Sequence, residues 1–200
     1  MEKKNIAGIL AILAMVLVGI SFGSGWYGID ERVTNDYGTD YTEMTMYLNK
    51  VKVTDGHHSE ILYYDDYPAA RNSNFVEVFY NIRNLLAISM IALIGVVGVA
   101  FLSSIKNLKA IIFVATIFLL VTPIYMAVSL PDAFARDDIW DGFSSSPATS
   151  FIGSYSDNGY DYWDGYYTDY AHWAPSIGYY LVIISFILML ASGIIIWKEK

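Results

Sequence analysis

The stretch IAGILAILAMVLVGISF, residues 6 to 22, contains one hydroxyl, Ser21, and no ionisable side chain. A helix crossing about 30 Å of hydrocarbon needs about 20 mostly apolar residues, with a range of about 17–25. This run is therefore long enough to cross a bilayer, and three others match it. Leu85–Leu102 has Ser89 as its only polar side chain, Ala110–Leu130 holds Thr116, Thr122, Tyr125 and Ser129, and Ile177–Trp197 holds Tyr179, Tyr180, Ser185 and Ser192. None of the four contains Asp, Glu, Lys, Arg or His. The first run also invites reading as a cleaved secretory signal, because Ser21, Gly23, Ser24 and Gly25 follow its apolar core. That core exceeds the about 7–15 residues usual in such signals, so it reads as a span.

The composition agrees. Only 16% of the 200 residues are charged and 55% are hydrophobic, against about 25% and 45–50% in average chains. A single water-soluble core is excluded. The chain has no cysteine, which rules out disulfides, iron–sulfur clusters, thiolate zinc sites and cysteine nucleophiles. A net charge of −8 argues against nucleic acid as a partner.

Lysines set the orientation. Lys3 and Lys4 precede the first span, Lys106 and Lys109 lie between the second and third, and Lys198 and Lys200 end the chain, opposed only by Glu2 and Glu199. The opposite side receives eighteen carboxylates. By the positive-inside rule both termini are cytoplasmic. The expected fold is a membrane α-helical one: a four-transmembrane-helix bundle with a β-rich extracellular cap built from two long outer loops. The expected boundaries are 1–23 for the first span, 24–82 for outer loop one, 83–103 for the second span and 104–109 for the inner loop. The third span then occupies 110–130, outer loop two 131–175, and the fourth span with its inner tail 176–200. Trp26 and Trp197 stand where interfacial aromatic anchors belong.

Lipid tails are as apolar as leucine, so spans associate by close backbone approach. Ala7, Ala11, Ala14 and Ser21 recur at alternating steps on the first span, with Gly19 and Gly23 as a GxxxG on a neighbouring stripe. Gly178, Ser185 and Ser192 are each seven apart on the fourth span, and the second offers Gly95 and Gly98. This spacing suits a left-handed bundle crossing at about 20°, and internal packing is favoured over a dimer face. Pro123 removes a backbone donor from the third span and should kink it.

The outer loops are too long to be simple linkers. Met44–Thr54 alternates as a strand, with a parity jump between Leu48 and Val51 that suggests a bulge at Asn49-Lys50. Asp55-Gly56 follows as a turn signal, and Ile61–Tyr64 reads as a return strand in a longer-looped hairpin. Phe75–Tyr80 adds a candidate further strand before the second helix. In the second loop, Phe151–Tyr170 holds six tyrosines, one tryptophan and four aspartates. Disordered linkers are poor in aromatics, so an ordered second hairpin packed on the first loop is expected, with Ser156–Gly159 as its turn. Tyrosine buries a ring and leaves a hydroxyl for a partner. Trp26, Tyr162, Trp163, Tyr166, Tyr167 and Trp173 are the candidate interface residues.

The order of these features resembles the claudin-type four-span superfamily. Trp26 closely follows the first span, Asn81-Ile82-Arg83-Asn84-Leu85-Leu86 looks like a basic entry to the second, and Gly178-Tyr179 opens the fourth. The resemblance implies inner termini, a strand-bearing first outer loop and a short inner loop. The superfamily's Gly-Leu-Trp and paired cysteines are absent, and the second loop is longer. The chain also lacks an Asn-x-Ser/Thr sequon, which with the missing cysteines points to an archaeal or bacterial cell membrane.

Chemistry is sparse. No span carries an ionisable group of the kind transport pathways use, and no phosphate loop, serine elbow or zincin helix occurs. His57-His58 beside Asp55 and Glu60 reads as a solvated turn rather than a metal site, and His172 as interfacial. Asp157, Asp161 and Asp164 offer oxygens to calcium, but without the spacing of an EF-hand loop; Asp137, Asp138 and Asp141 share this ambiguity. Weak calcium binding at best is expected, with no catalytic residue and no cofactor. The function expected is a non-enzymatic scaffold or accessory subunit in the lipid bilayer, assembling with other membrane or cell-surface proteins or with itself. The alternative is a component of an oligomeric, cation-attracting channel or barrier.

Overall fold

A computed structural model describes residues 2–56, 58–66, 72–102, 105–137, 147–161 and 165–198. The elements in chain order are α1 (Lys3–Gly23), β1 (Tyr27–Asn35), β2 (Gly38–Met46), β3 (Lys50–Asp55) and β4 (His58–Tyr63). A 3-10 turn (Tyr64–Asp66) precedes α2 (Asn74–Leu102), α3 (Ile105–Arg136), β5 (Gly153–Asp161), β6 (Gly165–Pro175) and α4 (Ile177–Trp197). Each of the four α-helices includes a segment long and apolar enough to cross a membrane. The chain divides into two compact units, one of Met1–Ser24, Asn81–Met126 and Ile177–Lys200, the other of Gly25–Tyr80 and Ala127–Ser176.

In the helical unit, α1 buries Ala7, Ala11, Ala14, Val18 and Ser21 along one stripe, and α4 buries Gly178, Val182, Ser185, Met189, Ser192 and Ile196 along another. These stripes repeat every three or four residues, the period of one helix face. The Ser185 hydroxyl reaches the Ala14 carbonyl at 3.2 Å and the Leu181 carbonyl at 2.8 Å, a link that only short side chains between the backbones permit. Gly19 and Gly23 are exposed, while Gly95 and Gly98 are half-buried. The hydroxyls of Ser89, Thr116 and Thr122 donate to carbonyls one turn back at 2.7–2.8 Å, whereas the buried Ser192 Oγ has no hydrogen-bond partner among the described residues. Pro123 stands within α3, where it offers no N–H to the Leu119 carbonyl.

The other unit is built on one antiparallel sheet in the order β4-β3-β2-β1-β6-β5. Residue pairs such as Tyr27↔Met46 and Tyr27↔Pro175 make β1 the central ladder, zipped to β2 on one side and β6 on the other. Successive side chains alternate between faces, so Tyr27, Ile29, Met44, Met46, Val51, Val53, Leu62 and Trp173 share one face. That face meets the helix ends belonging to this unit. Tyr27 lies 6.0 Å from Phe134 and 5.6 Å from Phe151, Tyr64 makes an edge contact with Phe75 at 5.9 Å, and Phe75 stacks on Phe134 at 5.8 Å. Trp26, Tyr27, Ile29, Tyr64, Phe79, Phe134 and Trp173 are all buried. Burying one large side chain contributes about 1.5–3 kcal/mol, which stands in for the disulfides this chain cannot form. The phenol tips are satisfied. Tyr27 donates to the Phe151 carbonyl at 2.8 Å and Tyr64 to the Tyr47 carbonyl at 3.1 Å.

Asp137 ties the helix ends together. Its carboxylate accepts from the backbone N–H groups of Asn74 and Phe75, both at 2.8 Å, and from the Asn74 side chain. A carboxylate at a helix N-terminus satisfies orphan donors and opposes the positive end of the dipole.

Four local expectations are corrected. Phe75–Tyr80 is not a strand but the first turns of α2: Val76 and Phe79 are buried three residues apart and the period continues at Ile82 and Leu86. Met44–Thr54 is not one bulged strand but the end of β2 and most of β3. Residues 47–49 turn the chain between them, closed by a Tyr47 N–H to Lys50 carbonyl bond of 2.8 Å. The parity jump is that turn. The next connection is short rather than long, because Asp55 pairs directly with His58 and Gly56 takes a left-handed φ of 51°. Ser156–Gly159 lies inside β5, opposite Tyr167–Tyr170, and the pairing continues to Asp161 opposite Gly165, whose φ is 74°.

Candidate interaction face of the sheet

Register places the second face of the sheet in cross-strand rows. Arg32 sits between Tyr41 on β2 and Tyr170 on β6, with Ser156 beyond. The next row runs Ser154, His172, Asp30, Glu43, Thr54 and Ser59. A third carries Thr45, Lys52 and Ile61, and Lys50 pairs with Tyr63 at the β3–β4 end. Tyr41, Tyr63, Tyr160, Tyr166 and Tyr170 are all exposed, and so is Arg32.

Several rings are held rather than loose. Lys50 Nζ lies 5.1 Å from the Tyr47 ring and 5.6 Å from the Tyr63 ring, within reach of cation–π attraction. Tyr160 and Tyr166 meet edge-on at 5.1 Å across the β5–β6 hairpin, a favoured aromatic geometry. Beside them the Thr168 hydroxyl donates to Asn158 Oδ1 at 2.8 Å, and the Thr34 and Thr39 hydroxyls share a hydrogen bond of 3.0 Å.

Between these groups a shallow trough of about 320 Å³ has Asp30, Arg32, Tyr41, Tyr170 and His172 in its lining. The Tyr41 phenol is held above its ordinary range, by desolvation first, then by the Asp30 and Glu43 carboxylates and a hydrogen bond to Asp30, with Arg32 opposing. Tyr41 therefore stays a neutral donor. The trough offers a guanidinium, a carboxylate, an imidazole and two ring faces, a set suited to gripping polar protein surface.

The face carrying the core changes character towards the Asp161–Gly165 end, where Glu31, Asp169 and Asp157 share it. Asp157 and Asp169 are direct cross-strand partners. Asp169 is held above the usual carboxylate range by desolvation and then by Asp157, and a bond from the Tyr170 N–H opposes this. Glu31 is raised by desolvation and then by Asp169. Asp169 Oδ1 is buried without a hydrogen-bond partner.

Of the residues marked out from sequence, Tyr166 projects from the exposed face at 73% exposure, whereas Tyr167 lies on the carboxylate face against Gly159. Trp26 and Trp173 are fully buried in the core, so they brace the sheet and present no surface to a partner. Tyr162, Trp163 and Asp164, together with His57, Asp138 and Asp141, lie outside the described residues, as does the side chain of Asp161. Of the calcium trio only Asp157 can be placed, and it faces Asp169. Among the described residues no three His, Asp or Glu side chains are gathered for a metal ion. Sequence reading missed Arg32, Tyr41, Asp30 and Tyr170 as neighbours. The polar-apolar alternation of Tyr27–Val33 was the available signal, but it named no partner strand. Comparison with known protein families finds no match for this chain, and comparison with curated proteins finds none either.

Proposed function

We propose that the protein is a four-span membrane scaffold or accessory subunit that holds its sheet on the outer side of the membrane. There the tyrosine face engages other membrane or cell-surface proteins, further copies of itself included. The observation that carries this reading is the row Tyr41–Arg32–Tyr170 beside Asp30 and His172, exposed on a sheet whose other face is occupied by its own core. Interfaces are enriched in Tyr and Arg because rigid rings and a planar cation give contact area at low entropic cost. The lysine distribution supports inner termini, and a six-stranded sheet in a chain with four apolar helices supports the claudin-like layout at the level of architecture only.

A photocrosslinking residue at position 170, read in native membranes, tests the reading. A discrete adduct is expected, and Arg32→Glu should abolish it while an exposed control position on α1 gives none. No adduct from position 170 would overturn the proposal. The competing reading, an oligomeric cation-attracting path, draws on the Glu31, Asp169 and Asp157 carboxylates, which share one face of the sheet in two adjacent rows. Cation conductance in liposomes that vanishes on neutralising these carboxylates would favour it over the scaffold.

A further inference from the structure

The sheet unit has a second concavity, apart from the trough beside Arg32. Pairing of β1 with β6 ends at Thr34 and Thr168, and beyond that pair the β1–β2 turn and the β5–β6 hairpin border a notch of about 540 Å³. Among the described residues its lining is three tyrosines, two threonines, two asparagines, one aspartate and one glycine, with no lysine, arginine or aliphatic side chain. The polar groups are held in place. Asn35 Oδ1 accepts from the Tyr37 and Gly38 N–H groups at 3.0 and 3.1 Å, closing the turn that carries Asp36. The Asp36 carboxylate lies against Gly165, in the space that a Cβ there would fill. The Thr168 hydroxyl donates to Asn158 Oδ1 at 2.8 Å, which commits that oxygen and leaves the Nδ2 end as the donor. Tyr160 and Tyr166, 65% and 73% exposed, add their edge-on ring pair.

We propose that this notch binds a neutral carbohydrate, one sugar ring lying on the tyrosine pair with its hydroxyls paired to Asp36 and Asn158. The lining chooses the class. Phosphate, sulfate and carboxylate ligands are gripped by guanidinium and ammonium groups, and no such group lines the notch. An acyl chain is held by aliphatic walls, and these are missing too. A proline-rich peptide also stacks on aromatic rings, but its prolines carry no N–H. A carboxylate only accepts, so Asp36 would be left without a donor. A sugar ring meets both demands at once. Its C–H groups suit the negative face of an aromatic ring, and its adjacent hydroxyls donate to a carboxylate and accept from an amide.

The test is binding of the full chain, in a detergent without a sugar headgroup, to an array of neutral oligosaccharides, anionic oligosaccharides, lysine- and arginine-rich peptides and proline-rich peptides. At least one neutral glycan is expected to bind. Tyr166→Ala should weaken that binding about fivefold, and Asp36→Asn about tenfold. Tyr166→Phe keeps the ring and should stay within about twofold of wild type. Gly165→Ala, which displaces the Asp36 carboxylate, should weaken binding as Asp36→Asn does; Asp36→Asn, which adds no bulk, carries the argument if Gly165→Ala misfolds. Tyr63→Ala, at an exposed tyrosine on β4, should change nothing. No neutral glycan bound, binding confined to anionic glycans or to either peptide class, or neutral-glycan binding that survives both Tyr166→Ala and Asp36→Asn would overturn the proposal. None of these variants alters Arg32, Tyr41 or Tyr170 and no protein partner is read, so failure here leaves the scaffold reading untouched, and the reverse holds as well.

Discussion

Gly153 and Trp173 face each other across the β5–β6 ladder, and their fit yields a sharp expectation for Gly153→Ala. A Cβ at Gly153 would stand 2.5 Å from Trp173 Cζ2, 2.8 Å from Cε2 and 2.9 Å from Ser150 Oγ. Ordinary carbon contacts are about 3.5–4.0 Å, so something must move by about 1 Å. The indole cannot move freely: it is fully buried and its Nε1–H donates to the Ser150 carbonyl at 3.0 Å. Overpacking of this kind costs about 1–3 kcal/mol. Taking about 2 kcal/mol, amides of β5 and β6 should exchange about 30-fold faster where exchange follows local opening. Trp173→Leu carries its own cavity cost of a few kcal/mol but removes the obstacle. The extra penalty of Gly153→Ala should then shrink by at least about 1 kcal/mol, a coupling that a double-mutant cycle reads directly. Exchange within threefold of wild type in Gly153→Ala, or strict additivity of the two substitutions, would refute the argument from close approach.

Asp169→Asn should stabilise the sheet at neutral pH. A carboxyl whose folded pKa is raised binds its proton more tightly when folded, so ionisation costs stability as pH rises past the unfolded value, and the cost is complete above the folded one. Wild type should gain stability as pH falls from 7 towards 4, and the variant should lose that share of the gain. A like-charged cross-strand pair is worth about 0.2–1 kcal/mol, at the lower end where solvent screens it; a variant less stable than wild type at pH 7 would contradict this. Asp137→Ala should cost about 1–2 kcal/mol by uncapping α2, seen as faster exchange of the amides of Asn74–Tyr80; unchanged exchange there would remove the cap's role. Because the chain has no cysteine, Lys106→Cys and Asn158→Cys report topology cleanly. An impermeant thiol reagent on intact cells should label position 158 and spare 106, and the opposite pattern would invert the orientation.

The helices were legible because a span is written as a long run without charge, and nothing else in a chain looks like Ile6–Phe22. The stripes of Ala7, Ala11 and Ala14 on α1 and Ser185 and Ser192 on α4 were equally readable, since close packing demands small residues at helical period. The strands were harder for physical reasons. Phe75–Tyr80 is rich in Phe, Val and Tyr, which favour strands, but tertiary packing and the Asp137 cap make it helical. The 47–49 turn uses Tyr, Leu and Asn without glycine or proline, so alternation was the only cue and it misled. Ser156–Gly159 has turn chemistry yet lies on an edge strand, where polar residues are well tolerated. The tyrosine face depends on pairing β1 with β6, and no local pattern in either strand encodes its distant partner.

That pairing also has a history within each molecule. β1 to β4 form a meander of neighbours that can zip as soon as they emerge, but the partner of Tyr27 on the other flank is Pro175. At about 5–20 residues per second, the ribosome adds the intervening chain on the order of ten seconds after β1 is made. Throughout that interval the strand that ends up at the centre of the sheet is an open edge, with a row of unpaired N–H and C=O groups. Each newborn chain must wait for its own β6 while any neighbouring β6 offers the same hydrogen bonds. Synthesis on crowded ribosomes thus favours strand exchange between chains, and slowing initiation should favour correct self-closure.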